Sequence, residues 1–351
     1  MKPMTAVCLT VDLECTIAGA FANTLLTPLS DEPIWCRVDG RSHGLGFILE
    51  TLARHDLVAT FFLETNHAHY FQQEVFRPAL KAIVDAGHDV QLHAHPCWSV
   101  FKHTDWREKC SGAGLDDFSK LSLAESTALI EEGIETFARW DLPRPVIFRS
   151  GNLQHDHNLY RALADCNVPF SSSIGLGIYD SLQPALRHYS GHHQIDNVLE
   201  LPITSFEDWS PFGEPHIKSL TVAGTPFTEM KSLLAAAELA ALSPVVILTH
   251  PFEFVYRGNV RYSDMRPHEI NQRRFDALCG YLNANRDRFS TIRLATAAAQ
   301  VDPAKTGDNV ILATSAKQSI ARKMGNMLET ISGPRRSRKL PDNPFQVPVD
   351  S

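Results

Sequence analysis

Short, unbroken apolar runs alternate along this chain with polar turns and amphipathic segments. Ala6-Val7-Cys8-Leu9-Thr10-Val11 reads as a buried strand that ends in Asp12-Leu13-Glu14. Val58 to Leu63, Asp89 to His93, Val146 to Phe148 and Val245 to Thr249 read the same way. Between them, helical spacing runs over Gly46–Ala53, Phe76–Ala86 (closed by Gly87), Leu123–Trp140 and Asn158–Asn167. Strands that are apolar throughout belong to a sheet covered on both faces, and alternation with helices implies parallel βαβ units. The expected class is therefore α/β.

Residues 1–302 show no internal repeat or linker and are expected to form one catalytic-sized domain. The character changes over 303–351. Ile320, Met324, Met327, Leu328 and Ile331 recur at helical spacing, then come Pro334-Arg335-Arg336-Ser337-Arg338-Lys339 and a Pro-rich end. This extension reads as a docked helix with a solvated tail, and weak contact with an anionic surface is the competing use of its basic run.

Composition narrows the classes. Of the 351 residues, 44% are hydrophobic and 21% charged, enough for a true core, and the formal charge of -7 gives no electrostatic case for nucleic acid. No stretch approaches the ~18 consecutive apolar residues of a membrane span. The start lacks the apolar stretch of a secretory leader, so a cytoplasmic setting is expected. Seven cysteines, odd in number and without a CxxC pair, point to reduced thiols.

Three polar clusters sit where predicted strands end, the edge at which α/β folds gather functional groups. In Asp12-Leu13-Glu14 the two carboxylates share one face of an extended segment, suiting one to a metal and the other to a proton from water. His93 and His95 repeat that i, i+2 geometry with imidazoles, which zinc accepts alongside a carboxylate. Glu14, His93 and His95 make three ligands and leave a position for water. His250, ending Leu248-Thr249-His250-Pro251, is either a proton donor to a leaving group or a structural histidine. Arg149, in Phe148-Arg149-Ser150-Gly151-Asn152, is suited to gripping a carboxylate, although a surface ion pair is the commoner fate of a single arginine.

Taken in order, Thr10-Val11-Asp12-Leu13-Glu14, Ala59-Thr60-Phe61-Phe62, Gly87-His88-Asp89-Val90-Gln91-Leu92-His93, Phe148-Arg149-Ser150-Gly151-Asn152 and Leu248-Thr249-His250-Pro251 resemble the motif series of the NodB-homology polysaccharide deacetylases, carbohydrate esterases in type. The resemblance spans residues 5 to 300 and is closest to an intracellular, divergent branch. It implies a distorted (β/α) barrel, a divalent metal ion (most often Zn2+) and hydrolytic removal of an acyl group from an N- or O-acylated sugar. It also implies Asp12 as general base, Glu14, His93 and His95 as metal ligands, Arg149 as the arginine orienting the base, and His250 as general acid. Two features depart from the family pattern. The acidic pair is Asp-x-Glu, and the place of a second histidine a turn beyond the first is held by Cys97 and Trp98, so that role passes to His95. Asp208-Trp209 is a candidate for the family's Asp-Trp motif, with a surface acid beside a packed Trp as the other reading.

Long loops over Cys15–His43 and Ser99–Ser122 follow these clusters and are expected to wall the pocket. Trp35, Trp98, Phe101 and Trp106 within them suit either a sugar ring or the loops' own packing. Two rivals stand beside the deacetylase reading. One is an amidohydrolase-like metal hydrolase acting on a non-sugar C–N bond. The other is a catalytically inactive glycan-binding protein on the same fold.

Overall fold

A computed structural model describes residues 4–71, 75–110, 116–210, 215–302, 307–320 and 322. Its centre is a curled, mostly parallel sheet. The strands are β1 (Thr5–Leu13), β2 (Thr60–Glu64), β3 (Asp89–Ala94), β4 (Ile147–Ser150), β5 (Phe170–Ser171), β6 (His193–Ile195), β7 (Val198–Glu200), β8 (Val245–Thr249) and β9 (Phe289–Thr291). They lie in the order β8-β1-β2-β3-β4-β5-β7-β6, with β9 beside the first residues of β1. Every pairing is parallel except that of β6 with β7. The sheet closes on itself through an irregular stretch. Leu201 and Ile203 donate backbone N–H groups to Ser171 and Ile174 on one side, and Thr204 donates to Val246 of β8 on the other. The expected distorted α/β barrel is thus realised, with its seam made by non-strand backbone.

Residue parity sorts the core into two layers. On β1, Val7, Leu9, Val11 and Leu13 face outward into the large cluster shared with the helices. Those helices are α1 (Leu45–Arg54), α2 (Arg77–Asp85), α3 (Leu123–Arg139), α4 (His157–Asp165), α5 (Phe227–Leu239) and α6 (Glu269–Ala284). Cys8 faces inward and joins Phe62, Ile147, Leu201, Ile203, Val246 and Leu248 in a second cluster. Leu294, Ala297 and Ala298 of α7 (Leu294–Gln300) complete that cluster near the strands' amino-terminal ends. Thr10, Asp12 and Glu14 continue the inward row of Cys8 toward the opposite end. Hydrocarbon fills one end of the barrel and leaves polar chemistry to the other.

The elements end where their residues dictate. Ser122 and Glu125 cap α3 reciprocally, each side chain meeting the other's backbone N–H. Gly87 stops the segment after α2 with φ 77°, a left-handed turn that glycine adopts without steric cost. The strand expected over 146–148 runs on through Ser150, because Arg149 is itself satisfied inside the barrel.

Past residue 302, Leu312–Ala313 pairs with Phe206–Glu207, and Arg322 is buried against Asp208 and Glu229. A helical turn covers 316–320, and the rest of the expected helix, with the basic run 334–339, lies outside the described residues. Among the described residues no helix is long and apolar enough to cross a membrane. All seven cysteines are free and buried.

Candidate active site

The site is a set of inward-facing residues carried to the carboxyl ends of adjacent strands. Register puts Glu64 of β2 opposite His93 of β3, and His93 opposite Arg149 of β4, while Val11 of β1 pairs with Thr249 of β8. The two-residue period that buries Val7 and Leu9 on one face therefore delivers Asp12, Glu14, His93, His95, Arg149 and His250 to one end of the barrel.

Arg149 is the most deeply set. Its Nη1 donates to Asp12 Oδ1 at 2.6 Å and to Thr10 Oγ1 at 3.0 Å. Nε donates to the Ser172 carbonyl at 2.9 Å and Nη2 to Ser172 Oγ at 2.9 Å. The guanidinium lies 4.0 Å from the centre of the Phe62 ring. A buried cation needs such a full set of acceptors. One oxygen of Asp12 is thereby fixed, and the other faces His250 Nε2 at 3.8 Å.

Three groups converge beside that carboxylate. Glu14 Oε1 lies 2.9 Å from His93 Nε2 and 3.3 Å from His95 Nε2. The far nitrogens are both engaged, His93 Nδ1 with the Arg149 carbonyl at 2.8 Å and His95 Nδ1 with Asp116 Oδ2 at 2.8 Å. A carbonyl only accepts, so Nδ1 of His93 is the donor, and an ionised Asp116 imposes the same tautomer on His95. In their neutral forms the rings then present two Nε2 lone pairs to a carboxylate lone pair. That arrangement needs positive charge among the three, either a proton on an imidazole or a metal ion. The donor set thus fits a divalent metal ion, and its two imidazoles and carboxylate are the ligands zinc takes in catalytic centres. Asp12, Glu14 and His250 also bring ligand-capable atoms together at one point.

The electrostatics follow from this crowding. Burial pushes the Glu14 carboxyl up, but His95, His93 and His250 outweigh it and hold Glu14 well below the usual carboxylate range. Burial opposes charge on His95, yet Asp116 and Glu14 keep its pKa well above the ordinary imidazole value. His250 is likewise penalised by burial and is raised to about 9 by the hydrogen bond and charge of Glu253, with Glu14 and Asp12 beyond. His250 is also the most open member, its side chain 18% exposed against 6% or less for Asp12, Glu14, His93, His95 and Arg149. It marks the solvent-facing side of the cluster.

Sequence reasoning missed two carboxylates. Glu253 grips His250 twice, at ring Nδ1 (3.1 Å) and backbone N–H (3.1 Å), and accepts from Thr249 Oγ1 at 2.7 Å. The His-x-x-Glu spacing was its signal. Asp116, in the long loop after His95, had none. Among the aromatic residues of the loops, Trp98, Phe101 and Trp106 are buried in a cluster with Tyr70 and Phe71. The loops' own packing uses them. Trp35 is half-buried with the Arg37 guanidinium 4.9 Å from its ring centre. Asp208 is buried and engaged by Arg322, so the reading of it as a surface acid does not hold.

Residues 39–171 match the family model for polysaccharide deacetylase, a stretch that holds His93, His95 and Arg149. Over that stretch the chain is similar to the polysaccharide deacetylases. The matched stretch leaves out Asp12, Glu14 and His250, which the barrel brings to the same end. No curated protein matches this chain. Among solved structures, a Mycobacterium smegmatis protein described as a polysaccharide deacetylase superposes with a TM-score of 0.51 at 17% identity, covering 90% of this chain and 96% of that one. It shows the same fold. A family 4 carbohydrate esterase from Streptomyces lividans, in complex with acetate, gives a TM-score of 0.42 at 13% identity, over 88% of this chain and 98% of that one. A CE4 family pseudoenzyme from Bacillus anthracis gives 0.44 at 12%, over 90% and 71%.

Proposed function

We propose that this protein is a metal-dependent deacylase, hydrolysing the amide or ester of an N- or O-acylated carbohydrate or sugar precursor. The observation that carries the reading is the convergence, at one end of the barrel, of an arginine-held carboxylate, a Glu-His-His donor set and a carboxylate-held histidine. Glu14, His93 and His95 would hold the ion, Zn2+ in this reading, which when bound supplies Lewis acidity to an acyl carbonyl and acidity to a water.

The chain's own groups supply the rest. Arg149 occupies one oxygen of Asp12 and leaves the other to take a proton from the attacking water. The base is thereby positioned without being neutralised. His250 Nε2, 3.8 Å from both Asp12 and Glu14, faces the same space and can protonate the departing amine or alkoxide. Glu253 fixes the opposite edge of that ring, so the proton is presented where the leaving group forms. Retention of the base, the donor set, the arginine and the acid together supports a hydrolase over a binding-only protein.

In this reading residues 1–302 are the catalytic unit and 303–351 an appendage whose described part docks on it through Leu312–Ala313 and Arg322. Free, buried cysteines support a reducing compartment, and with it a cytoplasmic sugar precursor as substrate. The test is acetate release from a panel of acetylated sugars and sugar nucleotides by the metal-loaded protein and by Asp12→Ala. Release by the wild type that Asp12→Ala abolishes is expected. Equal release by both overturns the mechanism.

A further inference from the structure

His95 follows His93 by two residues, so its ring leaves the run-out of β3 and must be steered from outside the strand. Neighbouring β4 makes the room. A Cβ at Gly151 would lie 2.4 Å from His95 Nδ1 and 2.6 Å from its Cγ, so any side chain there displaces the imidazole. The next residue, Asn152, takes a left-handed backbone (φ 55°) and sends its amide Nδ2 to Asp116 Oδ2 at 2.7 Å. Asp116 Oδ1 also accepts the backbone N–H of Cys97 at 3.3 Å. Held from both sides, the Asp116 carboxylate meets His95 Nδ1 at 2.8 Å.

We propose that Asp116 is a positioning residue for the metal centre, locking His95 in the Nδ1–H tautomer with Nε2 aimed at Glu14 and thereby setting the site's affinity for a divalent cation. The proposal rests on the reading of Glu14, His93 and His95 as ligands. A carboxylate behind a ligating imidazole raises its basicity and fixes its heading, and losing such a partner typically weakens metal binding by about 10–100-fold. Here the requirement is sharper, because a ligand two residues along a strand lacks the helical turn that would otherwise aim it. The rival arrangement is a second ion held by His95, Cys97 and Asp116, whose ligand atoms also cluster. In that arrangement, however, both Asp116 oxygens are already taken, Oδ2 by Asn152 and Oδ1 by the Cys97 backbone N–H.

The test is a titration of the metal-stripped full chain with Co2+ against a chelating indicator, following the visible Co2+ bands, with circular dichroism as a check on folding. The wild type should take up one ion and His93→Ala none at this site. Asp116→Ala should still take up one ion, about 10–100-fold more weakly and with shifted bands, and Asp116→Asn should fall between. Asn152→Ala keeps the carboxylate but loses its anchor and should weaken binding in the same direction by less. Wild-type affinity in Asp116→Ala overturns the proposal. So do two ions in the wild type falling to one in the variant. If Asp116→Ala does not fold, unchanged affinity in Asn152→Ala overturns it instead. A wild type that binds no Co2+, or a His93→Ala that binds it as well as the wild type, brings down the metal-centre reading itself.

Discussion

Arg149→Met separates the structural from the chemical role of the buried arginine. Arg149 is fully buried, and the Asp12 side chain it pairs with is 4% exposed. Water therefore screens little of their interaction. Replacing the guanidinium by a thioether of similar reach strands a carboxylate in the barrel and leaves Ser172 Oγ and Thr10 Oγ1 short of a partner. Breaking one side of a buried pair costs about 3–5 kcal/mol, a large part of the ~5–15 kcal/mol that holds a typical domain. About 1–3 kcal/mol of that is the unmet polar groups near Ser172 and Thr10, and the remainder is the stranded charge. Asp12→Asn removes the charge alone. In urea unfolding of the metal-stripped protein, Arg149→Met should therefore be strongly destabilised, and Asp12→Asn/Arg149→Met should recover about 2 kcal/mol of the loss as a coupling between the two sites. Additive costs, with no coupling, would refute the idea that the arginine's main structural task is to neutralise Asp12.

Further outcomes follow from the same geometry. His250→Ala should lower kcat by about 10²–10⁴ while the protein still binds its metal, as loss of a general acid requires. Glu253→Ala should lower kcat with little change in KM, and Glu253→Gln should retain more activity than Glu253→Ala; an unchanged kcat in Glu253→Ala would show that His250 needs no support. Glu200 lies apart from these residues, accepting from the Ser173 and Ile174 N–H groups and from Tyr160 Oη, and burial raises its pKa above the usual glutamate value. A raised folded pKa means that the folded state holds the proton more tightly. The stability this contributes is complete below the unfolded pKa and is lost as pH rises through the folded one. Glu200→Gln, which keeps an acceptor for both N–H groups, should flatten that decline in chemical unfolding measured across pH, and an unaltered pH dependence would refute the assignment.

Much of this architecture was legible because barrel strands carry two independent patterns. Ala6 to Val11 is apolar on both faces, which marked a covered parallel strand, and Asp12-x-Glu14 and His93-x-His95 kept the two-residue period beyond the point where the apolar run stopped. The helices with a clear polar face, such as Leu123–Arg139, were equally plain. The two- and three-residue strands Phe170–Ser171 and His193–Ile195 were not, since pairing with neighbours holds them more than any pattern of their own. The Leu201–Thr204 seam is irregular backbone and left no periodic trace. Phe227–Leu239 is rich in alanine and lacks a sharp apolar stripe, so its periodicity does not mark it as a helix. At the site, the direct donors sat on strands and could be found. Asp116 touches His95 from a long loop and only three-dimensional contact identifies it, whereas Glu253 left the His-x-x-Glu spacing as its one trace.

The central claim is that Glu14, His93 and His95 form one cation site. An anomalous difference map at the zinc absorption edge, from crystals of the zinc-loaded protein, tests it most directly. A single strong peak bounded by Glu14 Oε1, His93 Nε2 and His95 Nε2 is the result expected. Zinc bound elsewhere, with those three side chains still hydrogen-bonded to one another, would contradict it.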